Sequence, residues 1–196
     1  MRFILGLTGQ TGAGKSLAAT VAKEHGYYII DCDKVAHSVL KMEKAKAALV
    51  NEFDVDILEN GEINRKKLAS AAFESTYKTE LLNKTVLPFI VDEINTILSG
   101  VSEEYVLLDA PTLFESGANG LCDKTVGVVA DKDVRFKRII ERDNLTELAA
   151  LQRINAGKDN DFYIRKCDYV IENNGTNTEF INNFENMLKD IFKGRQ

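Results

Sequence analysis

Short apolar runs alternate with segments of helical periodicity along this chain, and that order leaves few architectures open. Each run is rich in β-branched or aromatic residues, as buried strands are. Each of the first four runs is followed by a helical segment, and a repeated strand–helix order places the strands parallel in one sheet with helices on its faces. We therefore predict an α/β fold with a five-stranded parallel sheet. The predicted strands are residues 3–7, 27–30, 105–108, 125–129 and 169–171.

Two segments between the predicted strands are too long to be simple connections. A crossover needs about 10–12 residues, whereas residues 34–104 and 131–166 are far longer. In the first segment we predict several helices, with Gly61 in a turn, Asn64 as the N-cap of one helix and Pro88 at the junction of two others. Helical additions to a parallel sheet commonly form a substrate pocket or a closing lid.

Helical periodicity is clearest in three further segments. Residues 133–142 and 146–155 are predicted helices within the second addition. The C-terminal segment carries an apolar stripe at helical spacing, which we expect to pack on the core. The members of that stripe are Phe180, Phe184, Leu188 and Ile191.

Composition and charge limit the class of protein. The apolar fraction of 44% and the charged fraction of 28% are ordinary for a globular protein. The net charge of −5 argues against a general affinity for nucleic acid or acidic membranes. Three scattered cysteines indicate reduced thiols, the N-terminal apolar run is too short for a signal peptide, and no run is long enough to span a membrane. We expect a cytoplasmic protein that binds neither nucleic acid nor membranes.

The sequence GQTGAGKS at residues 9–16 follows directly on the first predicted strand. It has the pattern G-x-x-x-x-G-K-[ST], with Gly9, Gly14, Lys15 and Ser16 at the specified positions. Glycines let the main chain wrap around an anion, and the N-terminus of the helix that follows presents partial positive charge to the same anion. In this pattern the lysine reaches the outer phosphates and the hydroxyl ligates Mg²⁺. We therefore predict a site for nucleotide phosphates.

Carboxylates follow the second and third predicted strands. Asp31 and Asp33 would share one side if strand geometry continued past the apolar run, and Asp109 ends the next run. Ligands of open α/β sheets bind outside the carboxyl ends of the strands, where phosphoryl transfer needs carboxylates to orient Mg²⁺ and to accept a proton. Asp31 fits a helix N-cap equally well. We favour Asp33 for the chemistry and Asp109 for metal or loop positioning, and the spacing leaves the division of roles open.

Three arginines lie on one side of a predicted helix. Arg135, Arg138 and Arg142 are three and four residues apart, so their charges repel unless an anion offsets them. A guanidinium can bind phosphate oxygens through two parallel hydrogen bonds. A solvated surface helix would explain the charges alone, but the nearby phosphate loop favours a lid that brings arginines to the phosphates. Arg153 and Arg165 are weaker candidates of the same kind.

Six ordered segments resemble the dephospho-CoA kinase family, a family of P-loop kinases of the nucleoside-monophosphate-kinase type. The resemblance covers nearly the whole chain, and the ordered set is far more specific than the loop alone. The segments are LTGQTGAGKS, IIDCDKVAH, NGEINRKKLASAAF, LLDAPTLFESG, RFKRIIERDNLTELAALQRI and CDYVIENNG.

The resemblance implies ATP-dependent phosphorylation of the ribose 3′-hydroxyl of dephospho-CoA, the last step of coenzyme A synthesis, with Mg²⁺ as the metal. It implies a three-layer P-loop NTPase fold with a nucleotide-binding core, an inserted helical substrate domain that binds CoA, and a helical lid. The partner is then a small molecule, and we expect a monomer while leaving an oligomer open. The corresponding bounds are 1–33, 105–130 and 167–196 for the core, 34–104 for the substrate domain and 131–166 for the lid.

The resemblance also assigns roles to residues by position. Lys15, Asp33 and Arg138 would be catalytic, with Asp33 as base or metal-side carboxylate. Ser16, Asp33 and Asp109 would serve the metal, and Arg65 would lie near the substrate domain. Asn173 and Gly175 would lie near the adenine. The full nucleotide-binding set is Gly12, Ala13, Gly14, Lys15, Ser16, Leu17, Arg142, Asn173 and Gly175.

The chain departs from the family pattern in the substrate domain and the lid. Leu87 stands where the family has the histidine of His-Pro, and Thr112 replaces the first leucine of P-L-L-F-E. Arg135 and Gly157 stand at the usual glutamines of the lid. The phosphate loop and Asp33 are unaffected.

Other classes of protein that use the same loop fit the sequence less well. A GTPase switch needs N-K-x-D and D-x-x-G, and the nearest matches, NKTV at 83–86 and DAPT at 109–112, each lack a required residue. A transporter-type ATPase needs L-S-G-G-Q, and LSGVS at 98–102 is incomplete. Within the kinases, a nucleoside or shikimate-type kinase is the alternative.

Overall fold

The computed structural model describes residues 2–193 apart from the side chain of Val55, so residues 1 and 194–196 of the predicted core lie outside the described residues. The chain forms two compact units. The first comprises Met1–Ile29, Glu103–Pro111 and Cys122–Gln196, and the second comprises Ile30–Ser102 and Thr112–Leu121. Among the described residues, no helix has the length and hydropathy needed to cross a bilayer.

Strands and helices alternate through most of the first unit, and helices dominate the second. The strands are β1 (Phe3–Gly9), β2 (Tyr28–Asp31), β3 (Leu58–Glu59), β4 (Glu62–Ile63), β5 (Tyr105–Asp109), β6 (Lys124–Val129) and β7 (Tyr169–Glu172). The helices are α1 (Lys15–Glu24), α2 (Cys32–Val39), α3 (Glu43–Phe53), α4 (Arg65–Ala72), α5 (Thr76–Ser99), α6 (Lys132–Asp143), α7 (Glu147–Asn155), α8 (Asn160–Lys166) and α9 (Asn177–Lys193). Short 3₁₀ helices cover Val55–Ile57 and Ala118–Leu121.

The main sheet has five strands in the order β2-β5-β1-β6-β7. The central strand β1 pairs in parallel with β5 and β6, and Leu7 lies opposite both Asp109 and Val126. The predicted five-stranded parallel sheet is thus confirmed, and each predicted strand differs from the observed one by two residues or fewer at either end. Because the strands are parallel, the loop after Gly9 and the Asp109 carboxylate lie at the same edge of the sheet.

The core of the first unit is formed by the inner strands and the C-terminal helix. Leu5 and Leu7 of β1 are fully buried. The predicted apolar stripe of α9 is buried as well, with Phe180 and Phe184 stacked at a ring-centroid distance of 6.1 Å. Burial of each such side chain contributes about 1.5–3 kcal/mol, so α9 fixes the sheet that carries the loop.

The second unit contains a hairpin that the sequence analysis missed. Strands β3 and β4 are antiparallel and joined by Asn60 and Gly61, which both have positive φ angles, 51° and 82°. Asn-Gly is the preferred pair for a two-residue hairpin turn, so the signal was present in the sequence. The predicted cap at Asn64 is confirmed, because its side chain accepts hydrogen bonds from the N–H groups of Lys66 and Lys67.

The predicted helix junction at Pro88 is wrong. Helix α5 continues through this residue without interruption from Thr76 to Ser99. A proline in a helix interior costs roughly 3 kcal/mol, because it removes one hydrogen bond and crowds the preceding turn. Pro88 is exposed, whereas Val86 and Ile94 on either side are buried. The packing of both halves therefore outweighs the local preference of proline to end a helix.

Candidate active site

The predicted phosphate loop lies between β1 and α1, and its glycines adopt conformations that other residues avoid. Gly12 and Gly14 have φ angles of 82° and 108°. A Cβ atom on Gly12 would lie 2.9 Å from the Ile139 side chain of α6, so the loop also packs closely against that helix. Within the described residues, no side chain caps the N-terminus of α1. The positive end of α1 therefore faces the loop, as an anion site requires.

Hydrogen bonds inside the loop hold its turn. The N–H of Ala13 donates to the carbonyl of Gln10 at 3.0 Å, and the N–H of Leu17 donates to the carbonyl of Gly14 at 3.0 Å. Both residues belong to the set predicted to surround the phosphates. Their N–H groups stabilise the loop conformation itself.

Two buried side chains anchor the loop to more distant parts of the first unit. Gln10, 5% exposed, donates from Nε2 to the carbonyl of Lys158 at 3.0 Å and accepts from the N–H of Ala130 at 3.2 Å. Asn173, 3% exposed, donates from Nδ2 to the carbonyl of Ala13 at 2.7 Å. The loop is therefore held from two sides by groups with satisfied hydrogen bonds.

Lys15 and Asp109 form an ion pair between Nζ and Oδ1. Both side chains are largely buried, each with 19% of its surface exposed. Lys15 is the first residue of α1 and Asp109 the last of β5, so the parallel sheet brings these two predicted site residues together. The carboxylate orients the ammonium group at the mouth of the loop.

Two of the three residues predicted to ligate Mg²⁺, Ser16 and Asp109, lie at the phosphate loop and carry suitable ligand atoms. Ser16 is exposed at the first turn of α1, and Asp109 lies beside the neighbouring Lys15. Hydroxyl and carboxylate oxygens are hard ligands of the type that Mg²⁺ prefers. Across residues 2–193, no cluster of three His, Cys, Asp or Glu could hold a metal by itself. Phosphate oxygens and water molecules would have to supply the remaining ligands, as is usual for magnesium in kinases.

The three arginines of α6 differ in their surroundings. Arg135 is buried, donates from Nε to the carbonyl of Ala130 at 3.0 Å, and has a pKa lowered by burial. Arg138 donates from Nη1 to the Asn173 carbonyl at 2.9 Å and from Nη2 to Asn173 Oδ1 at 3.3 Å. Arg142 is exposed. The predicted single face of arginines is therefore divided among a buried, a half-buried and an exposed residue.

Arg142 shares the Asp143 carboxylate with Arg153 of α7. Arg142 donates from Nε and Nη2 at 2.7 and 2.8 Å, and Arg153 donates from Nη1 at 2.5 Å. Arg142, and to a lesser degree Arg153, lowers the pKa of Asp143, and the Asp143 carboxylate raises the pKa of Arg142. Asp143 thus holds two exposed guanidinium groups side by side.

The loop and the arginines line one cleft of about 670 Å³ in the first unit. Residues 9–12 and 14–16 and Pro111 form one part of its wall. A cleft of this size suits a nucleotide. Asn177 and charged side chains of the predicted lid form the other part, and the charged side chains are Arg138, Glu141, Arg142 and Arg153.

The residues predicted to lie near an adenine are found at a second cleft of the first unit. This cleft has a volume of about 490 Å³ and is lined by residues 172–175 and by side chains of α9. Asn173 and Gly175 both border it. The carboxamide of Asn173, however, makes its hydrogen bonds to the phosphate loop and to Arg138.

Strand geometry does not continue to Asp33, so the condition under which Asp31 and Asp33 would share one side is not met, and the alternative that Asp31 caps a helix is confirmed. Strand β2 ends at Asp31, which caps α2 by accepting a hydrogen bond from the N–H of Lys34 at 3.1 Å. Burial acts to raise the pKa of Asp31, but the N–H and ammonium of Lys34 outweigh burial and lower it. Asp33 is exposed in the first turn of α2. The capping geometry turns the chain into a helix, so the spacing of two no longer places both carboxylates on one side.

Two departures from the family pattern occur together in the second unit. Leu87 and Thr112 line the same small pocket, which has a volume of about 190 Å³. Gly157, a third departure, is exposed at the end of α7. None of these residues contributes to the wall of the cleft at the phosphate loop.

The sequence analysis did not single out Gln10, Glu141 and Asp143, and it gave Arg153, which lines the cleft, only as a weaker candidate. Gln10 occupies a position of the loop pattern at which any residue is allowed, so the pattern carries no signal for it. Asp143 follows Arg142 directly, and a neighbouring acid is too common on helices to be a signal. The contact of Asn173 with the loop joins residues 160 positions apart. Only the fold brings these residues together.

The fold and the cleft define the class of this protein. A parallel sheet, a glycine-rich loop between its central strand and a helix, a lysine at the start of that helix and arginines across the cleft are the parts of a P-loop kinase. The sequence model of the CoaE family, dephospho-CoA kinase, matches residues 3–179. The chain belongs to this family.

Relatives of the chain agree with that assignment over nearly their whole lengths. A dephospho-CoA kinase of Fusobacterium nucleatum is 34% identical over 191 residues, covering 97% of this chain and 93% of the relative. One of Geobacillus kaustophilus is 36% identical over 186 residues, covering 91% and 92%. The solved structure of the dephospho-CoA kinase from Campylobacter jejuni superimposes with a TM-score of 0.67 at 26% identity and covers 100% of both chains.

Proposed function

We propose that this protein transfers the γ-phosphoryl group of ATP to the ribose 3′-hydroxyl of dephospho-CoA, which completes coenzyme A synthesis. The match of the family across residues 3–179 carries the proposal. The cleft supports it, because a main-chain loop, a lysine and three arginines provide the positive groups that a triphosphate needs. Phosphoryl transfer relies chiefly on such positioning and charge stabilisation.

In this proposal, the phosphate loop binds the triphosphate and holds the γ-phosphoryl group in line for transfer. Lys15 neutralises charge on the outer phosphates, since its ammonium group lies at the mouth of the loop beside Asp109. Ser16 and Asp109 would hold Mg²⁺ together with phosphate oxygens. Magnesium, when bound, neutralises charge on the β- and γ-phosphates.

Asp33 is the proposed base that accepts the proton of the attacking hydroxyl. It is exposed in the first turn of α2, so a substrate can reach its carboxylate. Asp31 is less suited to the role, because its carboxylate caps α2 and is held by Lys34. Separate Asp33→Asn and Asp109→Asn variants measure how much each carboxylate contributes to Mg²⁺ binding.

Arg138 and Arg142 would stabilise the charge that develops on the transferred group. Both line the phosphate cleft, and a guanidinium can bind two oxygens at once. We propose residues 131–166 as a lid that excludes water during transfer, since water would otherwise accept the phosphoryl group. Residues 34–104, including Arg65, would bind the dephospho-CoA. We further propose a cytoplasmic, monomeric enzyme.

An acceptor panel tests this function directly. The purified protein is supplied with ATP and Mg²⁺, and ADP release is measured with dephospho-CoA, shikimate or adenosine as the acceptor. We expect turnover with dephospho-CoA alone, and ³¹P NMR should identify the product as a 3′-phosphate. Removal of Mg²⁺ with a chelator should abolish turnover.

The same assay separates the proposal from its alternatives. Preferred turnover of shikimate or adenosine would replace the proposed substrate while keeping the kinase class. ADP release at an equal rate without any acceptor would indicate a nucleotide hydrolase. For Asp33→Asn we expect ATP binding close to that of the unaltered protein with slow transfer, and unchanged transfer would move the base to Asp31 or Asp109.

A further inference from the structure

Asn173 differs from the residues around it. Glu172 and Asn174 are exposed, whereas Asn173 is 3% exposed. Its N–H donates to the carbonyl of Val129 at 2.9 Å, which fixes the main chain of Asn173 at the ends of β6 and β7. A buried carboxamide with a fixed main chain has little freedom to choose other partners.

The partners of the carboxamide determine its orientation. The Ala13 carbonyl can only accept a hydrogen bond, and the Arg138 guanidinium can only donate. Nδ2 must therefore face Ala13 and Oδ1 must face Arg138, as the distances of 2.7 and 3.3 Å show. The main-chain carbonyl of Asn173 accepts a second hydrogen bond from Arg138 at 2.9 Å. The side chain thus joins the phosphate loop to the arginine.

The contact with Ala13 acts on the N–H of the next residue. A trans peptide is planar, and its C=O and N–H point in opposite directions. When Asn173 holds the Ala13 carbonyl, the N–H of Gly14 in the same peptide must point the other way. Gly14 lines the cleft, and a Cβ atom on it would lie 2.3 Å from Asn173 Nδ2. The carboxamide therefore lies on the carbonyl side of the Ala13–Gly14 peptide, opposite to the Gly14 N–H.

We propose that Asn173 is a positioning residue for the phosphates. Its carboxamide orients the Gly14 N–H in the loop, and the carboxamide and main-chain carbonyl together fix the Arg138 guanidinium, so that one residue sets two phosphate-binding groups. This role differs from the contact with adenine that the family resemblance implies for the same residue. The inference rests on the phosphate-binding part of the proposed function and is independent of the acceptor.

The test compares two ligands that differ in their phosphates. Isothermal titration measures the affinity of Asn173→Ala for ADP with Mg²⁺ and for adenosine. We expect ADP to bind about tenfold more weakly, the effect on an equilibrium constant of about one lost buried hydrogen bond. Adenosine affinity should stay within about twofold of that of the unaltered protein. Equal weakening of both ligands, or no change in either, would overturn the proposal.

Thr125→Ala is the matched control. Thr125 is also a buried polar residue, 6% exposed, and its hydroxyl donates to Asp168 Oδ2 at 2.8 Å. It lies near the amino end of β6, whereas the loop follows the carboxyl end of β1. This variant should lose stability without a selective loss of ADP affinity. A selective loss in Thr125→Ala would show that general loosening of the unit explains the effect. If Asn173→Ala fails to fold, Asn173→Leu keeps the approximate shape and should show the same selectivity.

A double-mutant cycle tests the link to Arg138. If Asn173 positions Arg138, part of the loss in Asn173→Ala is already the loss of a correctly placed arginine. The double variant with Arg138→Ala should therefore bind ADP more tightly than the product of the two single losses predicts. Additive losses would show that Arg138 acts independently of Asn173, and would overturn that half of the proposal. A missing acceptor activity would not affect this result, because ADP binding requires no transfer.

Discussion

The cleft at the phosphate loop has a loop wall, formed by residues 9–12 and 14–16, and an arginine wall, which includes Arg142 and Arg153. Different kinds of interaction hold these two walls. The phosphate loop is fixed by buried groups, since Gln10 and Asn173 are 5% and 3% exposed and both bind main-chain atoms. Across the cleft, the side chains of Arg142 and Arg153 are 56% and 50% exposed and share one carboxylate. Buried hydrogen bonds are expensive to break, whereas exposed ion pairs contribute little and exchange partners easily.

This difference indicates that the two walls of the cleft bind phosphates in different ways. The loop wall is preorganised, so its N–H groups need no rearrangement when phosphates bind, which favours tight binding and catalysis. The arginine wall can exchange the Asp143 carboxylate for a phosphate oxygen, because both are anionic acceptors of similar geometry. Substitutions in the loop wall should therefore have large effects, and substitution of the Asp143 carboxylate that Arg142 and Arg153 share should have a small one.

The largest effect is expected for Lys15→Ala. Removal of one preorganised charge from a catalytic site typically lowers kcat by about 10²–10³-fold. We expect this loss in the dephospho-CoA assay, with the fold retained and a lower melting temperature, because the largely buried Asp109 carboxylate loses its ion-pair partner. Lys23→Ala is the matched control, because Lys23 lies in the last turn of the same helix. A kcat of Lys15→Ala within about threefold of the unaltered value would contradict the role of the loop wall.

A smaller effect is expected for Gly14→Ala. The φ angle of 108° is unfavourable for alanine, and the new Cβ would meet Asn173 Nδ2. Strain of this kind costs about 1–3 kcal/mol, and displacement of Asn173 should add to it. The measurements are the free energy of unfolding by urea and the affinity for ADP. Both should fall.

The variant Gly26→Ala separates the backbone strain of a positive φ angle from the contact with Asn173, because both effects act together in Gly14→Ala. Gly26 follows the same helix with a φ angle of 83°, and apart from Gly26 and its two chain neighbours no described residue has an atom within 4 Å of the position that a Cβ atom would occupy there. Gly26→Ala should therefore show the strain alone and leave ADP affinity unchanged. In the Asn173→Ala background, the extra cost of Gly14→Ala over Gly26→Ala should shrink. An equal cost in both backgrounds would show that Asn173 does not restrain the loop at this point.

The same contrast explains which features could be predicted from the sequence. Local patterns predict the strands and the α4 cap at Asn64, because these depend on neighbours in sequence. The order of the strands predicts that Asp109 lies at the same edge of the sheet as the phosphate loop with Lys15. The uninterrupted α5 could not be predicted, since tertiary packing on both sides of Pro88 overrides the local preference. The link from Asn173 to Ala13 depends on a long-range contact that no local pattern encodes.

The smallest effect is expected for Asp143→Asn, on the arginine wall. Loss of this carboxylate leaves Arg142 and Arg153 without their shared anion, so phosphates no longer compete with it. We expect ADP with Mg²⁺ to bind about two- to fivefold more tightly, the size typical of an exposed ion pair. Asp133→Asn is the control, because Asp133 is exposed in the first turn of the same helix. An equal gain in the control would show that net charge, rather than the shared carboxylate, sets the affinity.

The pH dependence of the gain in ADP affinity is a second test of the proposed competition between the Asp143 carboxylate and phosphate. The arginines lower the pKa of Asp143. Its carboxylate is therefore ionised at neutral pH and remains ionised at pH values somewhat below the ordinary pKa of a carboxyl group. Its interaction with the arginines is complete above that ordinary value and is lost only as the pH falls through the lowered pKa. The difference in ADP affinity between the variant and the unaltered protein should therefore be constant around neutral pH and vanish only in acid. Weaker ADP binding by Asp143→Asn at neutral pH would mean instead that the carboxylate positions the arginines, and the two walls would then be preorganised alike.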